Sequence, residues 1–137
     1  MPSTFSPNLR INLQASGENA NTWGNITNTN LGTVIEQAIA GYQAISVTSG
    51  DVTLTALDGA SDQSRNAVLQ FTGTPGVARN VYCPSGVTKV YVLYNTCGSN
   101  VTLYCGTSGS HGAGVAVPTA TAYQVFCDGT NIIKVSV

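Results

Sequence analysis

The chain has 137 residues, a formal net charge of −1, 42% hydrophobic residues and only 8% charged ones, against about 25% charged in a typical soluble domain. That length suits one domain able to bury a core without a metal or disulfide, and the composition excludes disorder, which pairs low hydrophobicity with high net charge. The five cations (Arg10, Arg65, Arg79, Lys89 and Lys134) are scattered, which excludes the clustered phosphate contacts of nucleic-acid binding and the polybasic patch of an anionic membrane surface.

Low charge also leaves little repulsion between copies and favours self-association. No apolar run approaches the roughly 20 residues that span a bilayer. The opening MPSTFSPNLRINLQ lacks the basic head and apolar stretch of a secretory leader. Synthesis in a cytoplasm is expected.

Residues 1–21 are polar, contain Pro2 and Pro7, and alternate briefly at Leu9, Ile11 and Leu13. A period of two suits an extended arm with one apolar edge, too short to fold alone, lying on its own domain or on a neighbouring subunit. Over residues 22–41, Leu31, Val34, Ile35, Ala38, Ile39 and Tyr42 recur at intervals of three and four, and Trp23 and Ile26 extend the stripe backwards. This spacing predicts a helix with one apolar face, capped near Thr22 and closed by Gly41 in a left-handed conformation. Gly32 and several Thr weaken it intrinsically, so tertiary packing must hold it.

From residue 43 the pattern becomes short strands, expected at 43–48, 51–57, 66–72, 77–83, 87–95, 100–106, 113–117, 121–127 and 130–136, separated by Gly, Asp and Pro turns. The expected fold is mainly β: an antiparallel sandwich or barrel, jelly-roll-like, preceded by the extended arm and one short helix. Asp128-Gly129 predicts a hairpin with a type I′ turn, and loop 107–114 (TSGSHGAG) is expected to be exposed.

Catalytic constellations are weak. The six acids sit singly, and Asp51, Asp58, Asp62 and Asp128 fall in or beside turns, where carboxylates commonly bond their own backbone. Paired carboxyls for glycoside hydrolysis are therefore not expected. His111 lies between glycines and lacks the orienting partner of a catalytic base. Neither glycine-bearing stretch, 72–76 or 106–114, has the order of a phosphate loop. No catalytic residue and no cofactor is expected.

Tyr82, Tyr91, Tyr94, Tyr104 and Tyr123 fall in strands and read as core or subunit contacts, with a ligand-facing platform as the alternative. Cys83, Cys97, Cys105 and Cys127 read as small core hydrophobes, with a Cys97–Cys105 bridge across a hairpin as the alternative. Their spacing does not suggest a zinc site.

The segment LRINLQASGENANTWGNITNTNLGTVIEQAIAGY, beginning at Leu9, resembles the opening module of tail-fibre-like and other structural proteins of tailed bacteriophages. The residues that carry the likeness are Gly17, Glu18, Asn19, Thr22, Trp23, Gly24, Asn30, Leu31, Ile35, Glu36, Ala38, Ile39 and Gly41. Gly76-Val77-Ala78-Arg79-Asn80 and Asp128-Gly129-Thr130-Asn131 resemble later parts of such proteins. The resemblance implies a virion component without catalytic residues. Fibre proteins continue into long shafts and receptor-binding tips, so a chain this short is expected to be an accessory protein of the capsid (a decoration or cement protein) or of the tail.

Three parts are then expected: a docking arm at 1–21, a helix-containing segment at 22–42 and a β-sandwich at 43–137. Leu9, Ile11, Leu13, Trp23, Leu31, Ile35 and Ile39 are the candidate docking residues, and the expected partners are other virion proteins and further copies of the chain. Nucleic acid and membrane are not expected partners, and a host surface glycan is the alternative ligand.

Overall fold

A computed structural model describes residues 2–135. The arm folds into a small antiparallel ribbon, β1 (Thr4–Phe5) with β2 (Asn12–Leu13). A continuous helical rod follows: α1 (Trp23–Thr29), a π-helical stretch at Asn30–Ile35, and α2 (Glu36–Ala40). Ten further strands come next: β3 (Tyr42–Ser46), β4 (Val52–Thr53), β5 (Val68–Thr72), β6 (Arg79–Cys83), β7 (Thr88–Asn95), β8 (Val101–Thr107), β9 (Ser110–His111), β10 (Val115–Val117), β11 (Thr121–Asp128) and β12 (Ile132–Lys134). Each of the nine runs expected from the alternation overlaps one of these strands, β9 falls in the expected loop, and residue 136 at the end of the last run lies outside the described residues.

Successive strands alternate between two sheets. Sheet I has the order β12-β11-β7-β5-β3, and sheet II has β10-β8-β6-β4 with β9 beside β8. The chain therefore crosses the core at the end of each strand from β3 to β7. Neighbours one winding apart run parallel, Tyr42 beside Val68 and Val68 beside Val92 in sheet I, Val81 beside Leu103 in sheet II. The last strands reverse: β10 and β11 pair antiparallel with β8 and β7, and β12 with β11.

The β-sandwich character is as expected, but the wholly antiparallel arrangement is not. Turn residues mark where the chain changes direction without specifying whether it returns to the same sheet or arches across to the other. Here the loops after β3, β5, β6 and β7 arch across, because each strand carries inward residues that meet those of the opposite sheet. Ile45, Leu69, Phe71, Tyr91, Leu93 and Val125 of sheet I close on Val81, Val101, Leu103 and Val117 of sheet II in one buried cluster. Inward and outward residues alternate along β7, where Tyr91, Leu93 and Asn95 are buried and Val90 and Tyr94 are exposed.

Local details differ from expectation in physically instructive ways. Gly41 ends the rod in extended conformation, φ −69° and ψ 142°, so no left-handed cap forms. It is glycine because a Cβ there would strike the Asn66 Oδ1 and Gln37 carbonyl oxygens. Thr22 makes no side-chain cap; its hydroxyl donates to the Asn19 carbonyl. The β11–β12 hairpin forms, but its turn is Asp128–Asn131, closed by Asp128 N donating to Asn131 O, with Asp128 Oδ1 accepting from the Thr130 and Asn131 amides. Loop 107–114 begins as a tight β8–β9 hairpin with His111 opposite Gly106.

Among the described residues Asn95 is the one amide side chain with no exposure at all, placed where β7 leaves for sheet II. Its Nδ2 donates to the Ser99 and Val117 carbonyls (2.9 and 2.8 Å), and its Oδ1 accepts from the Cys97 amide (2.8 Å). Asn95→Ala strands all three backbone groups inside the protein and is expected to cost about 3 kcal/mol, measured as a lower urea midpoint with an unchanged denaturant slope.

Candidate functional site

The arm lies on its own domain and is fastened there by polar groups. Arg65, buried beside a 3₁₀ turn at Gln63–Arg65, donates from Nε to the Leu9 carbonyl (2.9 Å), from Nη2 to the Leu57 carbonyl (2.5 Å) and from Nη1 to the Ala60 carbonyl. Burial lowers its pKa, while Asp62 and Asp58 act in the opposite sense. The Asn30 side chain brackets Asn12, accepting from its amide (3.0 Å) and donating to its carbonyl (2.9 Å), so the π stretch of the rod grips β2 as a strand would. Gly59 N donates to Arg10 O, Arg10 Nε bonds Asp58 Oδ1 at 2.6 Å, and Thr88 N donates to Asn8 Oδ1.

This fastening leaves much of the apolar stripe uncovered. Val34 is fully buried, but Trp23 is 63% exposed, Leu31 58% and Ile39 76%. A π stretch has more residues per turn than an α-helix, which rotates the positions after it and splits a stripe that looked continuous. Of the candidate docking residues, Leu13 is 49% exposed, and Leu9, Ile11 and Ile35 are partly buried.

The structure brings Leu9 and Ile39 together in one groove of about 580 Å³, with Ala38, Val90 and Phe126 completing its apolar lining. Val90 and Phe126 lie on the outer face of sheet I, opposite each other in β7 and β11. Leu13 lines a separate shallow groove with Pro2, Thr4, Gln14 and Ala15. Sequence reasoning missed Val90 and Phe126 as groove residues. Their signal was a strand with apolar residues on both faces, which marks cover on both sides.

A second cluster was not anticipated. All four cysteines are free and buried, so the Cys97–Cys105 bridge is absent. Cys83 and Cys105 are register partners on β6 and β8, Cys127 reaches in from β11 of the other sheet, and the three sulfurs lie within 4.8 Å of one another. Cys127, beside the Cys83 thiol and accepting from the Gly129 amide (3.4 Å), is held down to about 6, while burial pushes Cys105, whose thiol donates to the Pro84 carbonyl (3.5 Å), up to about 12, and Cys83 beside Cys127 also rises. No sequence signal pointed to the trio, because it depends on which strands become neighbours.

The carboxylates hold the fold. Asp62 accepts from the Leu57 and Gln63 amides and the Thr55 hydroxyl, Asp51 from the Asn80 amide, and Glu18 from the Ser3 hydroxyl and Ala15 amide. His111 is exposed, its ring 4.1 Å from that of Tyr104 and 5.6 Å from that of Tyr82, on the outer face of sheet II. Compared with known proteins, the chain matches no family model, no curated protein and no solved structure.

Lys89 sits between the groove and the thiols, opposite Cys127 in the β7–β11 ladder. Its Nζ lies 4.2 Å from the Tyr91 ring centroid and donates to the Asn66 and Val90 carbonyls. Burial lowers its pKa from 10.5 to about 8. A folded value below the unfolded one means that the unfolded chain holds more protons in between, so this group's contribution to stability rises with pH across that window. The unfolding free energy of the wild type relative to Lys89→Met is therefore expected to grow between about pH 8 and 10.5; a flat difference in paired urea titrations contradicts it.

Proposed function

We propose that this protein is a non-enzymatic structural component of a tailed-phage virion, an accessory protein that docks on other subunits of the particle through its amino-terminal segment. The observation that carries the reading is the exposure of Trp23, Leu31 and Ile39 on a rod whose arm is already fastened to the body. Apolar side chains of this size on one short segment gain about 25 cal/mol per Å² when a neighbour covers them. That gain offsets the rigid-body cost of association, and symmetric repetition multiplies it over many copies. The near-neutral surface, five cations against six anions, opposes no such approach. Carboxylates engaged with backbone amides, and a lone histidine stacked on tyrosines, support a structural role over a catalytic one.

The partners proposed are capsid or tail subunits and further copies of the chain, with the virion as its location. The exposed His111 ring against the half-buried Tyr104, backed by the buried Tyr82, favours one second reading, a platform on which a host surface glycan stacks. A glycan array separates the two.

Docking is tested by the triple variant Trp23→Ser, Leu31→Ser, Ile39→Ser. These side chains are mostly in solvent, so the variant is expected to keep its thermal midpoint within a few degrees. It should lose co-sedimentation with particles assembled without the wild-type protein. Normal incorporation of the folded variant overturns the proposal. Point substitution is the cleaner test than removing residues 1–21, because deletion also strips Arg65 of the Leu9 carbonyl.

A further inference from the structure

We infer that Cys83, Cys105 and Cys127 form a three-thiolate site for one soft d10 metal ion, with Cu(I) as the ion that fits best. The inference is independent of the docking proposal. Three strands from two sheets deliver these sulfurs to one point, across 44 residues of sequence from Cys83 to Cys127, and each residue is only 1–2% exposed. Other inward positions of the same strands carry Val81, Val101, Leu103 and Val125, so the core accepts aliphatic side chains there. Cys97 is equally buried but stands outside the cluster, and it serves as an internal control.

The geometry suits a common metal centre. With metal–sulfur bonds of about 2.3 Å, three sulfurs around one ion lie roughly 4 Å apart. The present separations, all within 4.8 Å, need to close by less than about an ångström, within reach of small side-chain rotations.

Thiolates select Cu(I) and zinc over harder ions. The fourth, nitrogen donor that would complete a tetrahedral zinc site is not at hand. The one histidine turns its ring outward onto Tyr82 and Tyr104, while Cys105, next to Tyr104 in the strand, points inward. Three-coordination by sulfur alone is what Cu(I) tolerates and zinc does not prefer.

Access and charge are both provided for. Cys105 borders a surface groove lined by Ser85, Ser110, His111 and Thr130, and Cys127 borders the groove of Leu9 and Ile39, so the trio lies between two openings. Lys89 adds a cation beside the thiolates. On binding, each sulfur that still carries a proton exchanges its S–H bond for a sulfur–metal bond and releases that proton to solvent, a sulfur already ionised binds directly, and no oxidation state changes.

The test uses the full chain, reduced and handled without oxygen, titrated with Cu(I) and separately with Zn(II) against chromophoric chelators. One equivalent of Cu(I), a thiolate-to-copper charge-transfer band and a raised thermal midpoint are expected. Cys83→Ser, Cys105→Ser and Cys127→Ser should each weaken Cu(I) binding by at least ~100-fold, beyond what loss of an outer partner achieves. Cys97→Ser carries the same kind of core perturbation and should bind as the wild type does. Zinc bound more tightly than Cu(I) overturns the choice of ion. Absence of stoichiometric binding by either metal, or equal loss in Cys97→Ser, overturns the site.

Discussion

Everything in this fold depends on two sheets sharing one core while the chain changes sheet at nearly every strand. Each strand from β3 to β8 can bury its inward face only against strands that come before and after it in sequence. Parallel neighbours follow, since a chain that crosses over and crosses back arrives at the next position running the same way. Asn95 shows the constraint at close range. The crossing after β7 leaves backbone groups inside the protein, and one buried amide satisfies an amide and two carbonyls there. A buried backbone group without a partner costs about as much as a lost hydrogen bond.

The amino-terminal segment is held in a different way. Its attachment to the body is mostly polar, with Arg65 bonding the Leu9 carbonyl and Asn8 the Thr88 amide, while Asn30 ties the rod to the arm. Polar fastening fixes position without covering apolar surface. It therefore leaves Trp23, Leu31 and Ile39 in solvent and aligns Leu9 and Ile39 with Val90 and Phe126 along one groove. A segment packed by its apolar stripe onto its own sheet would have had nothing left to offer a neighbour. The π stretch contributes by turning Val34 inward while Leu31 and Ile39 stay outside.

The two unusual clusters sit on opposite sides of sheet II. Tyr82 and Tyr104 stack outward under His111, and the neighbouring Cys83 and Cys105 point inward towards Cys127. A strand's period of two is enough to separate an aromatic ladder from a thiol ladder on adjacent residues. Gly106 lets β8 turn back on itself close by, with φ at 128° and no room for a Cβ against Ser110 and His111. The same hairpin thus places His111 over the tyrosines and lines the groove that Cys105 borders.

The sequence by itself determined the strand positions, the mainly β class, the helix near residues 22–41 and the apolar character of Trp23, Leu31 and Ile39, because periodicity and turn residues act locally. It also marked Asp62 and Asp128 as carboxylates that bond nearby backbone amides, whereas Asp51 bonds the amide of Asn80, 29 residues away. The tertiary structure alone decided the direction of each strand, since a glycine-rich turn serves a hairpin and a crossing equally well. It decided that the arm rests on its own body, through Arg65, a contact between residues far apart in the chain. It also decided that three of the four cysteines meet while Cys97 stands apart, because convergence is a property of which strands become neighbours, and spacing along the chain does not encode it.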